Sequence, residues 1–214
     1  MFMQTLEDRT LMSAATTVAA DRLAVRAAVL QFKSDSVSYA GKLLTDTQAL
    51  AAAGLPNDAT LAPLFVTLNH DLKQMHQQLA GDVLTQESNA LADESAIVAE
   101  LADILAAKGD HTALKADRSQ LYADRAKYQQ DMSTGVTSRY TTRTTDYTTV
   151  FNDLNAISNA LATDTAAAPD LVTAVENFVN DKTDELNTLA GDLQTIATAR
   201  ATLSTALANM EVST

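Results

Sequence analysis

Helix-breaking residues are scarce in this sequence, and they combine with turn-forming residues into turn signals at only three places. The 214 residues include only 6 Gly and 3 Pro. The turn signals fall at Gly54–Asp58, at Gly109-Asp110 and from Asp164 to Asp170. Each place combines a helix stop, either a Gly or a turn-prone Asp, with an Asp that can cap the next helix. The long stretches between the turns therefore predict a few long helices.

The four stretches predict helices at about 14–53, 59–108, 111–163 and 169–211. Because the turns are short, successive helices should be antiparallel neighbours. The predicted fold class is all-α, an elongated antiparallel up-down-up-down four-helix bundle with coiled-coil-like packing. Residues 14–211 form a single domain in this prediction, and residues 1–13 form an N-terminal motif or tail.

Apolar residues recur in the predicted helices at the spacings of three and four that helix packing requires. The second helix has such a row, which ends with Ile97, Leu101 and Ile104. The last helix has two rows with a period of seven. They are Val175, Leu189, Ile196, Leu203 and Met210, and Val172, Val179, Leu186, Leu193 and Leu207. These rows predict the buried seams of the bundle.

Six charged residues fall on the predicted seams, where an isolated buried charge is costly. Residue counting from the turns places them in three pairs, which are Asp82 with Arg143, Asp46 with Lys182, and Arg22 with Arg200. The candidate partners near the last pair are Glu87, Glu94 and Asp131. One interpretation is a set of ion pairs that fix the register of the helices. The other is a charged core layer that binds a small anionic ligand between them.

The sequence predicts no catalytic, cofactor or metal site. None of the three His (His70, His76 and His111) follows a Glu by three residues, as the His of carboxylate-bridged bundles do. The chain has no Cys, which excludes thiol catalysis and disulfides. It has no Gly-x-Ser-x-Gly turn and no Gly-rich phosphate loop. We therefore expect a protein that is not an enzyme and has no cofactor.

The charge of the chain narrows the expected partners. There are 27 acidic and 15 basic residues, which give a net charge of −12. Such a balance repels the phosphates of nucleic acids and anionic lipids, so neither is an expected partner. No run of about 18 apolar residues is present, and membrane insertion is not expected.

The stretch from Leu6 to Ala14 reads LEDRTLMSA. It resembles the LEPRxLL-type N-terminal motif of many planctomycete proteins, in its LEDRxLLSA form. Asp8 stands in place of the motif's Pro and Met12 replaces its second Leu. The resemblance covers nine residues and implies a protein of the cell envelope or a secreted protein. It implies neither a fold nor an activity, and no family is recognised for the remaining chain.

These observations predict a non-enzymatic, extracytoplasmic helical bundle that acts as a structural or protein-interaction module. Its partner would be another protein or a second copy of the chain. The alternative is a sensory-type bundle that binds a small ligand through the charged core layer.

Overall fold

Four long α-helices make up the fold. The computed structural model describes the backbone of residues 2–107, 110–164 and 167–213, and the side chains of residues 15–107, 110–164 and 167–210. These residues contain no strand, and their helices are α1 (Phe2–Ala52), α2 (Leu61–Ala106), α3 (His111–Thr163) and α4 (Pro169–Ser213), with a short 3₁₀ helix at Leu55–Asn57. The predicted all-α four-helix bundle is confirmed.

The turn between α1 and α2 forms as the sequence predicts. Gly54 follows α1 with a φ of 90°, in the left-handed region that favours a residue without a Cβ. The Asp58 carboxylate accepts hydrogen bonds from the backbone N–H groups of Thr60 at 2.9 Å and Leu61 at 2.7 Å. Asp58 therefore caps α2, because it satisfies N–H groups that have no partner inside the helix.

The other two predicted caps differ from each other. The Asp110 carboxylate accepts hydrogen bonds from the N–H groups of Thr112 and Ala113, both at 3.0 Å, and caps α3. Asp170 lies inside the first turn of α4, where its charge faces the positive end of the helix dipole. Gly109 lies outside the described residues.

Helix α1 begins earlier than the sequence predicts. It starts at Phe2, whereas the apolar pattern predicts a start near residue 14. The backbone of the motif at Leu6–Ala14 therefore belongs to α1. The side chains of the motif lie outside the described residues.

The chain divides into two compact units. Unit 1 consists of Met1–Val29, Asp82–Ser138 and Gln194–Thr214, and unit 2 of Leu30–Gly81 and Arg139–Leu193. All four helices contribute a segment to each unit.

Unit 2 has the larger apolar core. Its fully buried side chains come from α2, α3 and α4, and they include Leu61, Leu68, Leu154, Ile157, Val175 and Leu186. The Tyr39 hydroxyl lies 3.1 Å from the Thr188 hydroxyl, and Lys42 lies 3.5 Å from Asp181. Residue numbers rise along α1 as they fall along α4, so these two helices are antiparallel in unit 2.

Unit 1 is held together partly by buried hydroxyl groups. The Ser133 hydroxyl donates to the Ala197 carbonyl at 2.9 Å, and the Ser204 hydroxyl donates to the Ala126 carbonyl at 2.8 Å. Each bond satisfies a buried polar side chain and joins α3 to α4. The order of the partners shows that α3 and α4 are antiparallel in this unit. The apolar core around them comprises Val18, Val25, Ala126, Leu203, Leu207 and Met210.

One hydrogen bond between α2 and α3 in unit 1 is accommodated by a glycine. The buried Gln86 side chain donates to the Met132 carbonyl at 3.1 Å. A Cβ on Gly135 would lie only 2.8 Å from Cγ of Gln86. Gly135 therefore provides the space in which the amide of Gln86 reaches across to α3.

The predicted seam of α4 is confirmed. Eight of its ten residues are buried, and Val172 and Val179 are half-buried. The predicted seam of α2 is wrong at Leu101, which is 39% exposed.

Candidate functional site

Four arginines line one pocket in unit 1. The pocket has a volume of about 420 Å³. Arg22 and Arg26 come from α1, Arg125 from α3 and Arg200 from α4. Among the described residues, Glu94 of α2 is the one acidic residue that lines it. Four positive charges and one negative charge leave a strongly positive pocket in a chain whose net charge is −12.

Arg200 is half-buried at the wall of this pocket. Its Nη1 donates to the Gln129 side-chain oxygen at 3.1 Å, and its Nε is buried without a hydrogen-bond partner among the described residues. Burial lowers the pKa of Arg200, and the nearby Tyr128 hydroxyl acts in the opposite direction. A guanidinium nevertheless stays charged in proteins. The unpaired Nε is a donor for which the protein supplies no acceptor.

The structure places the predicted residues Arg22 and Arg200 in the same pocket, beside Glu94. Sequence reasoning did not find Arg26 and Arg125, because neither lies on a predicted seam. Among the other candidate partners, Asp131 binds Lys127 at 2.7 Å. Lys127 also pairs with the buried Asp93, and hydrogen bonds to Asp131 and Asp93 raise the pKa of Lys127.

Asp46 and Lys182 have separate contacts in unit 2. Lys182 is only 5% exposed and pairs with Glu185, one turn further along α4. Asp46 is 9% exposed, and it faces Asp181. Burial raises the pKa of Asp46 most, the negative charge of Asp181 raises it further, and Lys42 lowers it.

Asp82 and Arg143 belong to different units. Asp82 is half-buried in α2 of unit 1. Arg143 is half-buried in unit 2, where its guanidinium lies 5.7 Å from the centre of the Phe32 ring. Its Nε and Nη1 are buried without a hydrogen-bond partner among the described residues. The Asp82–Arg143 ion pair stays a prediction.

Three pairs of aspartates face each other between helices of unit 2. They are Asp46 with Asp181, Asp192 with Asp35, and Asp153 with Asp71. In each pair burial raises the pKa of the first-named Asp, and the facing Asp raises it further. Its Oδ2 is buried without a hydrogen-bond partner among the described residues. Ionised carboxylates cannot donate, so such a pair can share a hydrogen bond only after it takes up a proton.

The sequence holds a signal for two of these pairs. Asp35 lies eleven residues before Asp46, and Asp192 lies eleven residues after Asp181. Equal spacings in opposite directions are what two antiparallel helices need to bring both pairs together. The Tyr39–Thr188 contact lies between the two pairs in the same register.

Large apolar side chains are exposed on two of the four helices. We call Leu84, Leu91, Val98 and Leu105 the α2 stripe; they are 65–67% exposed and belong to unit 1. Helix α1 has a matching row at Leu23, Leu30, Val37 and Leu44, which are 61–74% exposed. The period of both rows is seven residues. Within the described part of the chain, α3 and α4 expose no large apolar side chain.

The structure gives no sign of a metal site or a membrane span. No group of three His, Cys, Asp or Glu side chains is arranged to hold a metal ion in the described part of the chain. Among the same residues, no helix is both long and apolar enough to cross a membrane.

Comparison with known proteins gives no relative. No protein-family model matches the chain, and no curated protein or solved structure matches it either.

Proposed function

We propose that this chain is a non-enzymatic, extracytoplasmic protein-interaction module whose partner is a second copy of itself. The observation that carries the proposal is the α2 stripe. Its four side chains lie on the side of α2 opposite to the buried Gln86 and Asp93. Burial of such a stripe against another helix is the usual reason for a seven-residue apolar period.

One flank of the α2 stripe has no charge, whereas the exposed Glu87 and Glu94 lie on the other flank. The rows on the uncharged flank consist of small exposed residues, which are Ser88, Ser95, Ala102, Ala92 and Ala99. A row of large side chains beside rows of small ones is self-complementary, because the leucines of one copy fit over the small residues of the other. This face therefore resembles one half of a helix–helix contact.

The charge distribution favours a second copy over a basic partner. Residues 82–106 include six acidic residues and no Lys or Arg, yet none of the six lies in the α2 stripe or the small-residue rows. A basic partner would be recognised by acidic groups at the centre of the contact. A contact centred on the stripe and the small-residue rows lets two chains of charge −12 meet with Glu87 and Glu94 at its edge and not at its centre.

The size of the stripe supports a weak dimer. It extends over about 32 Å of helix. Its four large side chains offer on the order of 400 Å² of apolar surface, which is the size of patch that marks interaction sites. With the small-residue rows, two copies would bury roughly 1,000 Å² in total, at the low end for specific interfaces. We therefore expect a dimer that dissociates on dilution.

Sedimentation equilibrium over a range of concentrations tests this proposal. We expect the apparent mass to rise from 22.7 kDa towards twice that value. Leu91→Glu places a charge at the centre of the stripe and should weaken association at least about tenfold. It should leave the melting temperature of the monomer unchanged within about 2 °C, because Leu91 is exposed. Added salt should strengthen the wild-type dimer, since it screens the acidic charge.

Thr198→Glu is the matched control, because it adds the same charge to unit 1 at an exposed position of α4. It should leave the association constant within twofold of the wild type. A wild-type chain that stays monomeric at every concentration would refute the proposal. An association constant of the Leu91→Glu variant equal to that of the wild type would refute it as well.

The extracytoplasmic location is the part of the proposal that rests on the N-terminal motif. We expect an antibody against the protein to detect it in the envelope fraction or the medium of the source cells. A pool confined to the cytosol would contradict the location but leave the dimer proposal intact.

A further inference from the structure

The arginine pocket of unit 1 concentrates positive charge without neutralising it. It contains four of the eight arginines of the chain. Within the described residues, none of these four forms an ion pair with a carboxylate. Their mutual repulsion is partly offset by Glu94, which lines the same pocket. An anion of two charges would offset most of the three positive charges that remain.

The hydrogen-bonding groups of the pocket also lack an acceptor. Guanidinium groups bind carboxylates and phosphates through pairs of parallel N–H donors. Arg200 uses Nη1 for Gln129, while its Nε is buried without a partner. The donors that remain come from α1, α3 and α4, so a bound anion would be held from several sides.

The remaining wall of the pocket is apolar. It consists of Val25, Ile97, Leu203 and Leu207, and the ring of Tyr128 lies beside them. The volume of about 420 Å³ lies within the range of pockets that bind small organic molecules. An inorganic ion would leave the apolar wall without a contact.

We propose that this pocket binds a small organic dianion, in which two negative charges contact the arginines and a carbon portion lies against the apolar wall. Phosphate monoesters and dicarboxylates share this chemistry. The inference goes beyond self-association, since the arginines of the pocket are separate from the residues of the α2 stripe.

Isothermal titration calorimetry with the full chain tests the inference. The probes are phenyl phosphate and phthalate as organic dianions, with benzoate and inorganic phosphate as comparisons, all at one ionic strength and pH 7.5. We expect at least one organic dianion to bind at least about tenfold more tightly than benzoate or inorganic phosphate. Only an organic dianion brings two charges to the arginines and a carbon portion to the apolar wall. The stronger of the two identifies the charged group that the arginines prefer.

Two variants separate specific binding from general charge. Arg200→Met should weaken the preferred dianion at least about tenfold, because it removes charge-assisted hydrogen bonds. Arg125→Gln should act in the same direction and keeps the test valid if Arg200→Met does not fold. Arg118→Met is the control, since it removes one exposed positive charge from the same unit outside the pocket, and it should change the Kd less than twofold.

Absence of binding by every probe would overturn the inference. An equal loss of affinity in Arg118→Met and in the pocket variants would also overturn it, since general electrostatic attraction to the unit would then explain the binding. Preference for inorganic phosphate over both organic dianions would show that the apolar wall is not part of a site.

Discussion

Replacing Glu185 with alanine should destabilise the folded chain by about 3 kcal/mol, because it leaves Lys182 as an unpaired charge in the core of unit 2. Lys182 is 5% exposed and pairs with Glu185 on the same helix. Loss of one partner of a buried ion pair typically costs about 3–5 kcal/mol. We expect the lower end because Lys182 also lines a cavity of about 470 Å³, which gives its flexible side chain a path towards water.

Urea denaturation of three variants tests the role of this pair. Glu185→Ala should lower the free energy of unfolding by the amount given above. Lys182→Met with Glu185→Gln should lie within about 1 kcal/mol of the wild type, because no charge is then buried. Glu176→Ala is the control, since Glu176 is an exposed acidic residue of α4 in the same unit, and it should cost less than about 0.5 kcal/mol.

The opposite outcome is also informative about the core. If Glu185→Ala unfolds at the same urea concentration as the wild type, the Lys182 ammonium group is solvated through the cavity. The pair with Glu185 would then not stabilise unit 2. The charge of Lys182 would in that case be accommodated by its long side chain alone.

The fold could be predicted from the sequence because its signals are local. Gly54, Asp58 and Asp110 each act within a few residues of their own position, through a left-handed φ or a cap. The seam of α4 could also be predicted, since that helix has one apolar face only. Its rows are buried or half-buried throughout, and no large apolar side chain is exposed on the described part of α4.

Periodicity alone does not decide which of two apolar rows on one helix is buried. In α1 the rows that begin at Val18 and at Leu23 have the same period of seven, yet Val18 is 6% exposed and Leu23 is 64% exposed. A seven-residue period gives the spacing of a row but not the direction in which it points. Periodicity therefore does not reveal that the stripes are exposed, and it places Leu101 on the wrong face of α2.

The partners of charged residues depend on finer detail than residue counting provides. A shift of one helical turn, or about 5.4 Å, replaces one facing residue by another. Counting places Asp46 near Lys182, whereas the structure shows it facing Asp181, the adjacent residue on α4. Counting thus finds the level on a neighbouring helix, whereas the rotation of that helix decides whether a cation or an anion faces the carboxylate.

The aspartate pairs of unit 2 should make the free energy of unfolding depend on pH. The pKa values of Asp46, Asp153 and Asp192 are raised in the folded chain, above the ordinary 3.8. Between pH 7 and about 4 the folded chain therefore binds more protons at these groups than the unfolded chain does. Their contribution to stability is fully present at low pH and is lost as the pH rises through the raised pKa values.

The three aspartate pairs differ in the groups that surround them. Asp46 faces Asp181 on α4, and Lys42 on its own helix partly offsets the repulsion. Asp192 faces Asp35, which also accepts a hydrogen bond from Gln31 at 2.8 Å.

Asp153 faces Asp71, with no cation among the causes of its raised pKa. The pKa of His76 shifts in the opposite direction, because burial first and the charge of Lys182 second lower it. The wild type and the variant both contain His76, so its contribution cancels when their free energies of unfolding are compared at the same pH.

Replacing Asp46, Asp153 and Asp192 together by Asn should stabilise the chain at pH 7 by on the order of 1–3 kcal/mol, since three repulsive contacts disappear and each amide can donate to the facing carboxylate. In urea titrations the advantage should shrink as the pH falls towards 4, because the wild-type pairs then take up protons and donate in the same way. Asp184→Asn, an exposed change in the same unit, should give a curve parallel to the wild type. An advantage that is independent of pH would show that the three pairs do not titrate, and a loss of stability at pH 7 would show that the paired carboxylates are held by attraction.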